Sequence, residues 1–259
     1  MPFVSPEIFA KKMIASVQEY SILSWRAIAN LFSRPRYWAD IYTQMDSIGV
    51  GSMPIVVLTG FFTGCVLALQ SATSLEAFGS VSLTGNLVAL SMVKELGPVL
   101  TGLMVSGRNA SGMASEIGSM RVTEQIDAMR ALGTDPVRKL VTPRLYATVF
   151  MLFFLTIVSD AVGIAGGALV SVTLMGLNAS SYFHNSYRAL QYGDVVQGLT
   201  KPLFSGFIIA TVGCFFGMTT KGGTQGVGKA TTQAVVYSSV FIIIVDFIVS
   251  RAMIGIFGR

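Results

Sequence analysis

The chain has 259 residues, of which 52% are hydrophobic and 12% are charged, and its formal net charge is +5. This charged fraction is about half of that in a soluble domain, which excludes an ordinary soluble protein and favours an integral membrane protein. Basic residues in a membrane protein mark cytoplasmic loops and contacts with anionic lipid, so nucleic acid is not expected as a partner.

The first predicted element is a helix over residues 7–33. Apolar residues such as Phe9, Met13 and Val17 are mixed with Lys11 and Lys12, which is typical of a helix lying in the membrane interface. Serines interrupt the apolar stripe, so an ordinary packed helix remains the alternative. The sequence Arg34-Pro35-Arg36 is expected to end this helix, because proline cannot continue it.

Five later segments are long and apolar enough to cross the hydrocarbon core. They cover approximately residues 48–71, 86–112, 145–175, 199–219 and 235–257. The fold class is therefore an all-α integral membrane protein with about five transmembrane helices. We expect one domain over residues 1–259, with N-terminal interfacial helices in 1–46 and a transmembrane bundle in 47–259.

The positions of Lys and Arg predict the orientation, because these residues accumulate in short cytoplasmic loops. They occur before the first span, between the second and third, and between the fourth and fifth, whereas residues 72–85 contain none and residues 176–198 contain only Arg188. The N-terminus is therefore predicted to be cytoplasmic and the C-terminus to lie outside, in the periplasm for a bacterial inner membrane.

Glycine pairs four residues apart occur in three of the spans. This spacing lets two helix backbones approach closely where lipid supplies no hydrophobic drive for association. It predicts either a compact bundle or a tight dimer interface, without distinguishing them. The pairs are Gly60 with Gly64, Gly163 with Gly167, and Gly213 with Gly217.

The second span contains two charges beside a proline, in the sequence Lys94-Glu95-Leu96-Gly97-Pro98. Pro98 lacks the amide hydrogen that would bond the carbonyl of Lys94, so the kink and the charges fall in the same turn. This arrangement favours a polar pocket facing a cavity. In the alternative interpretation Lys94 extends to the outer interface and Glu95 caps a neighbouring helix.

Two further carboxylates, Asp160 and Asp246, lie inside predicted spans. Such residues are rare in membranes unless they are paired or face water. Arg251 is available to another span rather than to Asp246, five residues away on the same helix. The two carboxylates therefore have two possible roles: they bridge helices, or they form a proton relay. A relay would suit a proton-coupled secondary transporter.

The segment from Ser115 to Arg144 joins the second and third spans. Residues 119–132 are predicted to form an amphipathic helix, because Ile126, Met129 and Leu132 lie on nearly the same face and Gly133 supplies a stop. Such a helix either inserts into a groove of a soluble partner or lies on the bilayer.

Enzymatic chemistry is not expected in this chain. The sequence from Gly223 to Ala230 imitates a phosphate-binding P-loop, but Ala230 stands where the motif needs Ser or Thr, and no strand precedes it. His184 is the only histidine, and Cys65 and Cys214 lie in apolar runs, so neither a metal site nor a catalytic triad is predicted.

The region from Lys94 to Arg144 resembles the MlaE (YrbE-type) permease family. The similarity is carried by Lys-Glu-Leu-Gly-Pro-Val at 94–99, Gly-Arg at 107–108, Ala-Ser-Glu-Ile-Gly-Ser-Met at 114–120, Glu-Gln-Ile-Asp-Ala-Met at 124–129 and Asp-Pro at 135–136. The sequence Gly-Lys-Ala-Thr-Thr at 228–232 is similar to the last cytoplasmic loop of the family. Lys94 stands where the family often has Arg, which keeps the charge but not the bidentate geometry.

The resemblance implies a permease subunit that moves phospholipid as a homodimer. Its implied partners are two ABC ATPase subunits, an MCE-domain protein on the outer side and a small STAS-type accessory subunit. ATP and magnesium would bind the ATPase, and this chain would hold no cofactor. The residues implied to contact lipid are Lys94, Glu95, Leu96, Phe78 and Leu75, and those implied to couple to the ATPase are Glu124, Gln125, Ile126, Asp127 and Met129.

The resemblance also suggests a mechanism in which the ATPase pair pushes the coupling helices and rocks two permease subunits across a glycine-lined interface. Two other functions remain as alternatives. A proton-coupled secondary transporter would depend on Asp160 and Asp246, and a membrane scaffold would tolerate changes at Glu95.

Overall fold

The chain folds into long helices, because a backbone in hydrocarbon must satisfy its own hydrogen bonds within the segment. The computed structural model describes residues 6–31 and 37–257, and within these ranges there is no strand. The helices of the described ranges are α1 (Pro6–Leu31), α2 (Trp38–Glu76), α3 (Val81–Val122), α4 (Gln125–Ala131), α5 (Val137–Thr173), α6 (Ala179–Ala189), α7 (Tyr192–Met218) and α8 (Gly223–Phe257).

Five of these helices, α2, α3, α5, α7 and α8, are long and apolar enough to cross a membrane. This confirms the predicted fold class and the five spans. We call the end of the bundle that carries α4 the inner end and the end that carries α6 the outer end; the charge pattern predicts that the inner end is cytoplasmic.

Several predicted boundaries were wrong. The first span begins at Trp38 rather than near residue 48, and the last begins at Gly223 rather than near 235. The glycine-rich stretch Gly223–Ala230, expected to be a loop, therefore forms the first two turns of α8. Glycine weakens a helix by only about 1 kcal/mol per residue, so a long apolar helix that follows without a proline can extend through it.

Three of the spanning helices contain π-helical turns, in which one residue is inserted into the regular hydrogen-bond ladder. They lie at Asp46–Val50 in α2, at Met92–Leu96 and Ser106–Ala110 in α3, and at Val137–Val141 in α5. The π-turn at Met92–Leu96 contains both charges singled out in the sequence. Periodicity did not reveal these insertions.

The predicted glycine pairs pack inside the bundle. A Cβ added to Gly64 would lie 1.8 Å from the carbonyl oxygen of Gly163, so α2 and α5 cross where neither has room for a side chain. A Cβ on Gly217 would lie 2.7 Å from Cβ of Ile117, which brings α7 against α3 in the same way. All six glycines of the three pairs are buried. They pack within one chain, which favours the compact bundle among the two alternatives left open by the sequence.

Helix α1 combines the two alternatives left open by its sequence. Leu23 and Ala27 are buried against the bundle, and the Tyr20 hydroxyl lies 2.9 Å from the Thr211 hydroxyl of α7. Large apolar side chains elsewhere on the helix are exposed, among them Val17 and Trp25. One face is therefore packed and another is free for the membrane interface. The segment Arg34-Pro35-Arg36 lies outside the described residues.

The outer end is covered by α6, in a stretch where the sequence predicted only a loop. The Asn178 side chain caps the helix by accepting from the amide of Ser180 at 2.8 Å. Tyr182 is 2% exposed and donates to the carbonyl of Ile164 in α5, and Ser186 donates to that of Gly85 in α3. Burial raises the pKa of Tyr182 to about 12. Helix α6 is therefore fixed to two spans.

Candidate functional site

The outer half of α3 is broken at the π-turn Met92–Leu96, just before Gly97 and Pro98. Pro98 has no amide hydrogen to offer the carbonyl of Lys94, four residues earlier. The structure supplies a donor from another helix, because Nζ of Lys201 in α7 donates to that carbonyl at 2.7 Å. A side chain thus stabilises the broken turn.

Lys201 is 2% exposed, so its charge must be compensated within the protein. Its Nζ forms ion pairs with the carboxylate of Glu95 in α3 and with Oδ1 of Asp246 in α8, the latter at 3.1 Å. The ammonium donates hydrogen bonds to Glu95 and to the Lys94 carbonyl, whereas its contact with Asp246 is an ion pair without a hydrogen bond. Lys201 joins three spanning helices at one point.

Lys94 itself points to a different partner. Its Nζ lies 3.0 Å from Oδ1 of Asp194, in the first turn of α7. Asp194 also accepts from the backbone amide of Gln191 at 3.0 Å, which completes the cap of that helix. A carboxylate is stabilised at a helix N-terminus by the helix dipole. The Lys94 side chain is 25% exposed, so it is not enclosed by the bundle.

Glu95 is the most open member of this group, because its side chain is 46% exposed. In addition to Lys201 it accepts from Gln197 in α7 at 3.4 Å and from Ser250 in α8 at 3.2 Å. We call these residues the polar cluster: Lys94, Glu95, Asp194, Gln197, Lys201, Asp246 and Ser250. The cluster contains a partly exposed lysine and a partly exposed glutamate within the span region.

The structure brings together only some of the residues predicted to contact lipid. Lys94 and Glu95 lie in the polar cluster, whereas Leu96 packs against the buried apolar group of Ala68, Val88, Met92 and Val170. Leu75 lies in the last turn of α2, and Phe78 follows it with 80% of its surface exposed. A lipid contact for these five residues stays a prediction.

The sequence analysis missed Lys201 and Asp194. A signal for Lys201 was present, because this lysine is followed by Pro202 inside an apolar run, the same combination that drew attention to Lys94 and Pro98. Asp194 carried no such signal, since an acidic residue in a first helical turn is common.

The two intramembrane aspartates differ in their surroundings. Asp246 bridges α8 to Lys201 of α7, as the bridging interpretation expected. Asp160 is 8% exposed, and within the described part of the chain its Oδ1 has no hydrogen-bond partner. Arg251 is exposed near the end of α8.

Comparison with known proteins assigns the family. The profile described as "Permease MlaE" matches residues 41–252. The "Intermembrane phospholipid transport system permease protein MlaE" of Haemophilus influenzae is 36% identical over 221 residues, which is 85% of each chain. This chain belongs to the MlaE permease family.

Other relatives extend the family's range. A "Probable ABC transporter permease protein" of Rickettsia bellii is 41% identical over 240 residues, 93% of each chain. The "Protein TRIGALACTOSYLDIACYLGLYCEROL 1, chloroplastic" of Arabidopsis thaliana is 36% identical over 229 residues, 88% of this chain and 65% of the plant protein. The resemblance found in the sequence motifs is therefore confirmed over most of the chain.

The Gly-Arg pair of the MlaE motifs lies in the second π-turn of α3. Arg108 Nη1 donates to the carbonyl of Ser47 at 2.8 Å and to the hydroxyl of Ser52 at 3.2 Å. A Cβ on Gly51 would lie 2.4 Å from Nη2 of the same arginine. Arg108 thus ties the inner halves of α2 and α3 together where both contain a π-turn.

The inner end carries the segment that the MlaE resemblance assigned to coupling. The helix expected over residues 119–132 is interrupted, because α3 ends at Val122 and α4 begins at Gln125. Between them Glu124 adopts a left-handed backbone with φ of +60°, which is uncommon outside glycine and asparagine. This sharp turn sets the direction of α4 away from the axis of α3.

The side chains of α4 divide between core and surface. Ile126 is fully buried in the same cluster as Ile117 and Leu140, so it anchors the helix to the bundle. Asp127 pairs with Arg121 at 2.6 Å and with Arg130 at 3.3 Å. Glu124, Gln125 and Asp127 are exposed, and Met129 is half-buried. The exposed residues form a polar surface at the inner end; the coupling role stays a prediction.

Proposed function

We propose that this chain is the membrane-embedded subunit of an ATP-driven phospholipid transporter in a bacterial inner membrane. Membership of the MlaE permease family and the names of its relatives support this proposal. The observation that carries it for this chain is the polar cluster, in which a partly exposed lysine and a partly exposed glutamate lie beside a broken helix.

The chemistry of the polar cluster suits a phospholipid headgroup. Lys94 offers a positive charge to a phosphate oxygen, and Glu95 accepts from an ammonium or a hydroxyl of the headgroup. Lys201 contributes by holding Glu95 in place, since its buried ammonium is already engaged by Glu95, Asp246 and the Lys94 carbonyl. In this proposal Leu75, Leu96 and Phe78 provide apolar contacts for acyl chains.

The proposal places ATP hydrolysis on a separate subunit. The exposed polar residues of the Glu124 turn and α4, namely Glu124, Gln125 and Asp127, would contact an ABC ATPase that binds ATP and magnesium. Because α3 runs from the polar cluster to this turn, a push on α4 would be transmitted along one helix. The two π-turns of α3 are places where it can change direction.

The assembly we propose contains two copies of this chain, with the lipid pathway between them. An MCE-domain protein on the outer side and a STAS-type accessory subunit would complete the complex. The two states of the permease would differ in their contacts with lipid, and this difference would provide the work of transport. Motion across a glycine-lined interface is no longer part of the mechanism, because those glycines pack within one chain.

Charge changes at Glu95 test the proposal. Glu95→Lys should abolish transfer of a fluorescent phosphatidylethanolamine between vesicles containing the reconstituted complex and acceptor vesicles, while the ATPase still copurifies. Glu95→Gln, a milder change, should lower the rate without unfolding the protein. Glu76→Lys, an exposed carboxylate at the end of α2, is the matched control. Normal transfer by both Glu95 variants would remove the polar cluster from the lipid pathway.

The two alternative functions are less well supported. A proton-coupled transporter is not needed to explain Asp246, because this residue already bridges two helices through Lys201. A non-transporting scaffold does not agree with the names of the relatives, which are transporter permeases. Copurification of an ATPase with the tagged chain separates both alternatives from the proposed transporter.

A further inference from the structure

Asp160 is a buried carboxyl group that the proposed function does not use. It lies in α5, is 8% exposed, and faces Gly97 of α3, where a Cβ would lie 1.7 Å from Oδ1 and 2.9 Å from Cγ. Only glycine leaves room for the carboxyl group at this crossing. Gly97 directly follows the π-turn that carries Lys94 and Glu95, so Asp160 lies next to the turn that positions these two members of the polar cluster.

A charge at this position has no compensation from the rest of the described chain. Oδ1 of Asp160 has no hydrogen-bond partner there, and no ion pair joins Asp160 to a described Lys or Arg. An isolated carboxylate in a low-dielectric interior is strongly disfavoured relative to its neutral acid. The neutral acid is also the form that can donate a hydrogen bond.

The charged groups on the neighbouring helices are engaged elsewhere. On α3 and α7, Lys94 pairs with Asp194 and Glu95 pairs with Lys201, which also holds Asp246 of α8. On α2 the only ionisable side chain between Asp46 and Glu76 is the Cys65 thiol, which donates to the carbonyl of Gly166 at 3.3 Å. On α3 the other ionisable groups are Arg108, bound to α2, Glu116, paired with Arg144, and Arg121, paired with Asp127. On α7 and α6 they are the buried Cys214 and Tyr182 and the exposed Tyr192, His184, Tyr187 and Arg188.

A backbone oxygen borders the same point on Gly97. The Cβ position of Gly97 lies 2.9 Å from the carbonyl oxygen of Met92, the first residue of the π-turn, as well as 1.7 Å from the Asp160 oxygen. That carbonyl accepts the backbone amide of Gly97. This amide is therefore not available to stabilise a charged Asp160.

We propose that Asp160 is a positioning residue that carries a proton: a neutral carboxylic acid wedged between α5 and Gly97 that holds the π-turn bearing Lys94 and Glu95. Its relevance to transport rests on the proposed function. The protonation state and the contact with Gly97 are properties of the folded chain and are measurable without any transport assay.

Infrared spectroscopy of the purified chain tests the proton directly. The difference spectrum between the wild type and Asp160→Asn should contain the C=O stretching band of a protonated carboxyl group at neutral pH. A difference in the carboxylate bands instead would show that Asp160 is ionised and would overturn the proposal.

Three substitutions separate a neutral acid from a space-filling or charged group. Asp160→Asn keeps a polar group of the same shape without charge, and it should retain the thermal stability of the wild type and most of its lipid transfer. Asp160→Leu keeps the volume but loses the hydrogen-bonding group, and it should lower transfer severalfold. Equal lipid transfer by the Asn and Leu variants would mean that Asp160 contributes only packing. The third substitution is Asp160→Glu. Loss of transfer in Asp160→Asn together with normal transfer in Asp160→Glu would indicate that a charge is required.

A double-mutant cycle tests the contact with Gly97. Gly97→Ala should lower the unfolding temperature in the wild-type background, because the new methyl group collides with the carboxyl group. In an Asp160→Ala background, Gly97→Ala should lower the unfolding temperature clearly less. Equal decreases in the two backgrounds would show that Asp160 is not wedged against Gly97. If the infrared and cycle results hold while the variants transfer lipid like the wild type, Asp160 holds the turn without a role in transport; if the wild-type complex itself transfers no lipid, the proposed function fails and the wedge stands.

Discussion

Lys201 donates a hydrogen bond from its ammonium to the backbone carbonyl of Lys94, at 2.7 Å and across two helices. The carbonyl is available because Pro98 cannot serve it from within α3. The same ammonium neutralises Glu95 and Asp246. A helix break and an ion cluster therefore depend on one side chain.

Lys201→Met should destabilise the chain by about 3–5 kcal/mol, because two carboxylates lose their buried partner. The loss should be smaller in a Pro98→Ala background, where the restored amide serves the Lys94 carbonyl. Chemical unfolding in detergent measures both, with Lys229→Met, an exposed lysine, as the control. An equal loss with and without Pro98 would mean that the backbone hydrogen bond contributes nothing.

Gly64→Ala should lower the thermal unfolding midpoint markedly, since its methyl group would lie 1.8 Å from the carbonyl oxygen of Gly163. Backbone atoms cannot move aside as a flexible side chain can, so α2 and α5 must separate. Gly255→Ala in α8, where a Cβ meets nothing within 4 Å, should be neutral or slightly stabilising. Similar midpoints for the two variants would argue against the close crossing.

Glu124→Lys should prevent copurification of the ATPase without unfolding the chain, because Glu124 is exposed and we expect the ATPase to bind its carboxylate. Asp127→Lys should act in the same direction but also break the pairs with Arg121 and Arg130. Glu124→Gly removes the charge but keeps the turn, since glycine accepts the left-handed φ of +60°. Loss of the ATPase in this variant would therefore be due to the missing side chain and not to a changed backbone. If the Lys variant retains the ATPase, docking does not use Glu124.

Tyr182→Phe should change the alkaline stability of the chain. The pKa of Tyr182 is raised by burial from 10.0 to about 12, so the folded state favours the neutral phenol. Its contribution to stability is complete below pH 10 and is lost as the pH rises through 12. The wild type should therefore lose more stability than Tyr182→Phe between these values. If the wild type and Tyr182→Phe lose the same stability between pH 10 and pH 12, the pKa of Tyr182 is not raised in the folded state.

The sequence predicted the features that depend on neighbours along the chain. The length of the apolar runs indicates five spans, and the adjacency of two charges and Pro98 indicates a broken polar turn. The pairing of Lys201 with Glu95 was not predictable, because these residues are 106 positions apart and meet only when α3 and α7 pack.

Side-chain direction was the other limit. The apolar pattern of residues 119–132 indicated a helix, yet it did not show that Ile126 faces the bundle and that Leu132 stays 83% exposed. Nor did the pattern distinguish glycines that pack within a chain from glycines between chains, since both uses require the same spacing.

Helix α8 packs on α7 and α3 with one face and is exposed over the rest of its surface. Only 11% of its most apolar stretch is buried, against 67% for α7. Within the described residues, its polar contacts with other helices are Asp246 with Lys201, Ser250 with Glu95 and Ser238 with Ser106. Most of this apolar helix therefore faces away from the chain, and lipid tails or another subunit must cover it.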